Sequence, residues 1–276
     1  MKNEIKDIGI NSVIKIITEE CPGKRVIIQK SFLSAIPGEN LYLPNTDSFV
    51  SGLHFALNLL ETDKRITKGE SSVPPDPLTV VSAESAYDDD TQDLVENAVA
   101  NTNRLVVCFN HQVSLSGWAC TATPKGARTK NFPVSGAKKG YPFPEKPLCR
   151  ILAAAGAGYV AQTSAFIEDD FRNKLHKALS FKGFRFLNVL TPSPFWGYSP
   201  EVGEEIGKLA LSTGHFPHFE IEKGTLSVPL KSDKLRPLTE YFALQKRFRH
   251  LNLAANRKLL DEIQHSVQKN WEQLSR

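Results

Sequence analysis

From Leu78 to Ala127 the sequence spells out a strand, a helix and a second strand, an order that leaves few folds open. Leu78-Thr79-Val80-Val81-Ser82 is apolar and β-branched. An acidic turn follows, Ala83-Glu84-Ser85-Ala86-Tyr87-Asp88-Asp89-Asp90, and then a helix expected from Thr91 to about Ala100. Leu105-Val106-Val107-Cys108-Phe109 is a second such strand and runs into a long irregular loop ending at Thr121-Ala122-Thr123-Pro124-Lys125-Gly126-Ala127. Two buried strands separated by a helix-length polar segment predict a parallel β-α-β unit, because only a crossover of that length returns the chain in the same direction. In open α/β sheets ligands bind beyond the carboxyl ends of the strands, which makes the segments after Ser82 and Phe109 the first candidates for function.

The flanking sequence extends this pattern. Ile8 to Glu19 places Ile8, Ile10, Val13, Ile14, Ile16 and Ile17 at helical spacing, with Asp7 as a cap, and Arg25 to Gln29 reads as a strand. Ser31 to Asp47 is rich in turn formers and is expected as a loop; Ser51 to Leu60 reads as a helix, and Lys64 to Pro77 as a polar connector. Beyond the central unit, Arg128 to Pro147 is a long excursion with no periodic pattern, of the kind that serves as a binding loop or a subunit contact. A helix over Cys149–Gly156, a strand over Tyr159–Gln162, a helix over Asp169–Ser180 and a strand over Arg185–Leu190 predict a doubly wound, mostly parallel α/β sheet. A short helix from Pro200 to Thr213 and a hairpin turning at Lys223-Gly224 follow. The tail from Leu238 to Leu274 is expected as a helix pair with Leu251, Leu253, Leu259, Leu260 and Ile263 as its apolar positions. The expected division is an α/β domain over residues 1–214, with 215–276 a hairpin and helical extension of the same domain.

Composition narrows the function classes. The 276 residues with 41% hydrophobic content suffice for a sizeable core. Lys and Arg number 34 against 30 acidic residues, and this scattered net charge of +4 argues against nucleic acid as a partner. The small-apolar run Ile151 to Ala161 is about half of what a bilayer crossing needs, so no membrane span is expected. Met1 to Asp7 lacks the apolar core of a secretory signal, which points to the cytoplasm. Cys21, Cys108, Cys120 and Cys149 form no C-x-x-C pair and read as buried or inert thiols.

Taken in order, Ala86-Tyr87-Asp88, Val106 to Asn110, Ser116-Gly117, Ala122 to Ala127, Gly158-Tyr159-Val160-Ala161, Thr191-Pro192-Ser193-Pro194 with Gly197, and Leu209 to Gly214 resemble one family. It is the β subunit of pyruvate:ferredoxin and related 2-oxoacid:ferredoxin oxidoreductases, and the likeness is collinear from about Ser48 to Leu251. The resemblance implies the thiamine-diphosphate-binding fold and a chain that holds the diphosphate end of thiamine diphosphate with Mg²⁺. It also implies an α-type partner carrying the pyrimidine-binding domain, with ferredoxin-like and gamma-type subunits in the same complex. The implied reaction is oxidative decarboxylation of a 2-oxoacid to an acyl-CoA, the electrons leaving through iron–sulfur centres.

The resemblance places cofactor contacts at Ser82, Ala83, Glu84, Ser85, Asn110, Gln112, Ser116 and Gly117, and several of these depart from the family pattern. Where the family has a Gly-Asp-Gly-Gly turn, this chain has Ser82-Ala83-Glu84-Ser85, so the metal aspartate is Ala83 and the glycines that admit phosphate are gone. Asn110 matches a metal ligand, Gln112 falls where a backbone carbonyl completes the site, and Glu84 is the neighbouring acid that remains. The family's Asn-Thr-Gly segment is Leu115-Ser116-Gly117. Many members also hold a [4Fe-4S] cluster on four cysteines; the corresponding positions here have no cysteine before Ile10, Lys30-Ser31 after the first strand and Ser193 in the late loop, so no cluster is expected. Two readings follow, a working subunit and a pseudo-subunit that keeps fold and partner surface alone.

Other residues carry competing explanations. His111 at a strand end suits a proton shuttle, but a lone loop histidine is more commonly solvated, and no catalytic residue is assigned. Asp88-Asp89-Asp90 at a helix start is expected to serve the helix dipole as a cap. Lys125, Arg128, Lys130, Lys138 and Lys139 suit an anionic cofactor or acidic carrier, with a solvated loop or subunit contact the commoner role. Trp118, Phe195 and Trp196 suit an interface or a plug of their own domain.

Overall fold

The computed structural model describes residues 16–17, 19–21, 26–28, 41–42, 78–132, 140–230 and 234–275. Among the described residues eight strands form one sheet: β1 (Val26–Ile28), β2 (Leu41–Tyr42), β3 (Leu78–Ser82), β4 (Leu105–Asn110), β5 (Tyr159–Ser164), β6 (Arg185–Leu190), β7 (Phe219–Glu222) and β8 (Thr225–Ser227). Their order is β2-β1-β3-β4-β6-β5-β7-β8. The pairs from β2 to β5 are parallel, and β7 and β8 add an antiparallel edge. β3, β4 and β6 are buried along their whole length, which is why they read as continuous apolar runs: both sheet faces are covered.

Helices supply that cover. On one face, Leu94 and Ala98 of α1 (Thr91–Val99) and Leu148 and Leu152 of α2 (Leu148–Ala154) pack on Val81, Val106, Val160 and Phe186. On the other, Phe171, Leu175 and Ala178 of α3 (Glu168–Ser180), spaced for one helical face, pack with Ile16 and Ile17 on Val80, Val107, Phe109 and Val189. A third cluster joins α4 (Gly203–Ser212), α5 (Leu238–Ala243) and α6 (Arg257–Ser275) to Leu190, Val113 and Trp196. The tail therefore packs on its own domain. Leu251, Leu259, Leu260 and Ile263 are buried in it, whereas Leu253 lies exposed between two short 3₁₀ segments.

Several expectations change in detail. Ala83 to Asp89 is helical, ending in a π-helical turn over Ser85–Asp89, where the sequence suggested an acidic turn. The cause is local: Ser82 Oγ accepts the Ser85 N–H at 3.2 Å, and Ser85, Ala86 and Tyr87 are buried. Within the turn-rich Ser31–Asp47 stretch, Leu41–Tyr42 pairs with β1 and becomes an edge strand. Asp90 stands at the first position before α1, yet its side chain makes no capping bond and instead accepts from Ser85 Oγ. The hairpin turns where expected, with Lys223 at φ 47° and Gly224 at φ 83°, the double positive φ that a two-residue turn between twisted strands requires. The expected helix over Ser51–Leu60, the connector over Lys64–Pro77 and most of the Ile8–Glu19 helix lie outside the described residues.

Candidate functional site

Parallel registry brings Ser82 of β3 beside Phe109 of β4, so the two odd segments emerge together at the carboxyl edge of the sheet. Ala83 is fully buried within the core. Burial raises the Glu84 carboxyl above the ordinary value, with Asp89 and Asp88 adding like charge and the Leu115 backbone pulling it slightly back. Asp88 is engaged across the loop, accepting from Thr121 N at 3.1 Å and Thr121 Oγ1 at 2.5 Å.

Asn110 and Gln112 are buried and tied to protein on each side. Asn110 Oδ1 accepts Gln112 N–H at 2.8 Å; its Nδ2 donates to Tyr87 OH at 3.3 Å and lies 3.5 Å from Glu145 Oε1. Gln112, at φ 55°, accepts on Oε1 from Arg247 Nη2 at 2.7 Å. The Arg247 guanidinium also donates from Nε to Gln245 Oε1 at 2.9 Å and lies 4.1 Å over the Trp196 ring and 4.7 Å over that of Phe248. Burial lowers its pKa to about 10, partly offset by Tyr241 and Glu145. Trp196 is wholly buried and donates Nε1–H to the His111 carbonyl at 2.7 Å. His111 is itself buried, with Nδ1 2.9 Å from Thr191 Oγ1, rather than solvated as its loop position suggested.

Ser116 Oγ is 2.9 Å from Ser114 Oγ, and Gly117 N donates to Ser114 O at 2.9 Å, which closes a tight turn. Gly117 has φ +86°, and a Cβ there would come 2.7 Å from the Phe195 ring. Trp118 is 56% and Phe195 41% exposed, so of the three loop aromatics these two face outward and Trp196 plugs the domain. Lys130 Nζ sits 4.7 Å from the Phe195 ring centre, Lys125 pairs with Glu262 at 3.1 Å, and the Lys138-Lys139 part of the basic loop lies outside the described residues.

A cleft of about 380 Å³ opens beside this edge, lined among others by Tyr87, Glu145, Cys149, Gln162, His215 and Phe219. Burial pushes the Glu145 carboxyl up to about 7, with Asn110, Arg247 and Tyr87 pulling it partly back. Tyr87 OH also accepts Asn188 Nδ2 at 2.9 Å, and Asn188 Nδ2 reaches Gln162 Oε1 at 2.9 Å, so a polar strip crosses the sheet face to the cleft. Sequence reasoning missed Glu145 and Arg247. Glu145 sits among the lysines and prolines of an aperiodic loop, and Arg247 among other tail cations, so neither had a local signal.

The four cysteines are buried thiols, as expected. Burial raises Cys108 well above its ordinary value and Cys120 to about 12, which leaves little thiolate. Ser193 accepts Phe195 N–H at 3.3 Å and starts a short 3₁₀ turn; Lys30 and Ser31 lie outside the described residues. Among the described residues no group of three His, Cys, Asp or Glu side chains could hold a metal ion. Among them, too, no helix is long and apolar enough to cross a membrane.

No protein-family model matches the chain. Among curated proteins it is 40% identical over 146 residues to the pyruvate synthase subunit PorB of Methanocaldococcus jannaschii, covering 51% of this chain and 49% of that protein. It is 30% identical over 223 residues to PorB of Thermotoga maritima, covering 78% and 69%. It is 30% identical over 161 residues to the ketoisovalerate oxidoreductase subunit VorB of Pyrococcus abyssi, covering 56% and 50%. The chain thus spans about half the length of several of these relatives. Among solved structures, a 2-oxoglutarate:ferredoxin oxidoreductase from Magnetococcus marinus shares the fold at a TM-score of 0.50 and 15% identity, covering 90% of this chain and 87% of that one. With the sheet order, the collinear motifs and the Thermotoga maritima match together, this chain belongs to the family of β subunits of the 2-oxoacid:ferredoxin oxidoreductases.

Proposed function

We propose that the chain works as the β-type subunit of a 2-oxoacid:ferredoxin oxidoreductase complex, docked on an α-type chain that carries the pyrimidine-binding domain. Ferredoxin-like and gamma-type subunits complete the complex, whose reaction is oxidative decarboxylation of a 2-oxoacid to an acyl-CoA. The observation that carries this is the pair Trp118 and Phe195, large aromatics exposed together at the carboxyl edge of a sheet of this family. Exposed aromatics held by backbone hydrogen bonds suit a protein interface, where they supply contact area at small entropic cost. Trp118 is so held: its N–H donates to Ser114 Oγ at 2.9 Å and its carbonyl accepts Ser114 N–H at 2.8 Å.

Co-expression of the full chain with an α-type chain, followed by native mass spectrometry, tests the assignment. The expected result is a stable complex that Trp118→Glu and Phe195→Glu each weaken at least tenfold. A chain that stays alone in the presence of that partner would overturn it. Of the two forms of the subunit, working or pseudo-subunit, the bonding around Asn110 favours the second.

A further inference from the structure

We propose that the Ser82–Ser85 and Asn110–Gln112 segments form a closed, protein-filled node rather than a magnesium–diphosphate site, and that this β-type chain takes no thiamine diphosphate. The inference rests on the assignment to the β-type subunit, which supplies the positions to be compared. A site for a dication and a diphosphate needs hard oxygen donors left open for the metal and backbone N–H groups left open for phosphate. The side-chain groups at these positions, and the Ser85 N–H, are instead spent on protein.

At the position of the metal carboxylate stands the buried methyl of Ala83, inside the hydrophobic core. The Ser85 N–H, which would face phosphate, is taken by Ser82 Oγ at 3.2 Å, and both serine side chains are buried where the family has none. The Oδ1 of Asn110, its side-chain oxygen, accepts the Gln112 N–H at 2.8 Å, and its backbone carbonyl accepts from Thr191 N at 3.1 Å. Gln112 Oε1 is bound to Arg247, so a resident cation already lies against the loop that would meet the metal. The buried Gln112 atom without a partner in the structure is Nε2, a donor, which no metal ion accepts. Glu84, the acid nearest the missing ligand, is partly buried and stands in the field of Asp88 and Asp89, which raises its carboxyl above the ordinary value. Without a metal, these three acids repel a diphosphate rather than attract it.

The node has a positive role that follows from the same bonds. Arg247 ties the segment after α5 to the end of β4, and Arg128 N–H donates to the Arg247 carbonyl at 3.0 Å, so three distant stretches meet at one residue. In this chain a side chain does permanently what a bound ligand would do only at saturation: it fixes the loop after Asn110.

Hydrogen–deuterium exchange on the full chain, alone and in its α-type complex, tests this with thiamine diphosphate and Mg²⁺ as probe. The expected result is unchanged exchange over residues 82–90 and 110–117, with no saturable heat for the isolated chain by calorimetry. Protection of those peptides with one-to-one binding would overturn the proposal. Saturable binding by the complex without protection at those peptides places the cofactor on another chain and supports it. Arg247→Met is expected to raise exchange several-fold in both 110–117 and 238–252; a rise confined to 238–252 would refute the node. Failure of the chain to join an α-type partner is a separate result and would strike the subunit assignment instead.

Discussion

Asp170 and Lys174 form a buried ion pair, and removing its carboxylate should cost far more than removing its ammonium. Lys174 Nζ lies 2.7 Å from Asp170 Oδ2 with side chains 1% and 8% exposed, and Thr163 Oγ1 donates to the same carboxylate at 2.6 Å. His218 Nδ1 is 2.8 Å away. Burial works to raise the Asp170 pKa, but His218 and Lys174 outweigh it and hold the carboxyl at about 2 against an ordinary 3.8. That gap corresponds to roughly 2.5 kcal/mol, fully present above the ordinary value and lost as pH falls through about 2. Burial meanwhile lowers Lys174, with Asp170 pulling it partly back up. Asp170→Ala should therefore cost about 3–5 kcal/mol at neutral pH, because Lys174 is left uncompensated. Lys174→Met should cost less, roughly 1–2 kcal/mol, since His218 can protonate and take over, with its depressed pKa moving upward. Asp170→Ala with Lys174→Met should cost clearly less than the two single losses added together, because no charge is then left unpaired. Urea unfolding of the four proteins measures the cycle, and an NMR titration of His218 measures its shift. A cost below about 1 kcal/mol for Asp170→Ala, or a double variant as unstable as the summed singles, would refute the reasoning.

Glu145→Gln should stabilise the chain at pH 8 by about 1–3 kcal/mol and flatten the stability profile between the ordinary 4.5 and about 7, where wild type loses stability as pH rises because its folded state holds the proton longer; thermal melts from pH 5 to 8 check this, and an unchanged slope would contradict it. Gly117→Ala should cost roughly 1–3 kcal/mol through its positive φ and the clash with Phe195, and should weaken α-type docking, both readable from one preparation by urea melts and native mass spectrometry. Ser82→Ala should cost about 1 kcal/mol, as loss of a helix cap does, and leave β3 in register; a much larger loss would mean that Ser82 does more than hold Ser85.

How much of this was legible depended on whether the cause was local. β6 appears over Arg185–Leu190 as expected, and β3 over Leu78–Ser82, because an apolar β-branched run covered on both faces carries its own signal. The two-residue strand Leu41–Tyr42 carries none; it is a strand only through its pairing with β1. The acidic stretch after Ser82 looked like a turn because charge dominates its composition, while the helix there is decided by one serine hydroxyl and by the burial of Tyr87. At the site, Asn110 and Gln112 could be picked out by motif position, but what they bond to could not. Arg247 reaches Gln112 across 135 residues, and Glu145 approaches Asn110 across 35, distances over which no periodicity or spacing speaks.

That same long reach explains how a β-type chain can change its ligand edge and keep its architecture. The three hydrophobic clusters depend on the sheet faces and the tail, and among the named ligand positions only Ala83 belongs to one. A bound cofactor stabilises the folded state by mass action alone, by an amount that vanishes when ligand is scarce. The Arg247 contact with Gln112 is made by the chain's own residues, so it holds the loop after β4 without calling on a cofactor. Trp118 and Phe195 stand on that loop and on its neighbour, with Lys130 N–H donating to Gly117 O at 2.9 Å between them. An outward aromatic face fixed by protein bonds alone keeps its shape without a bound ligand, which is what the proposed docking role requires of it.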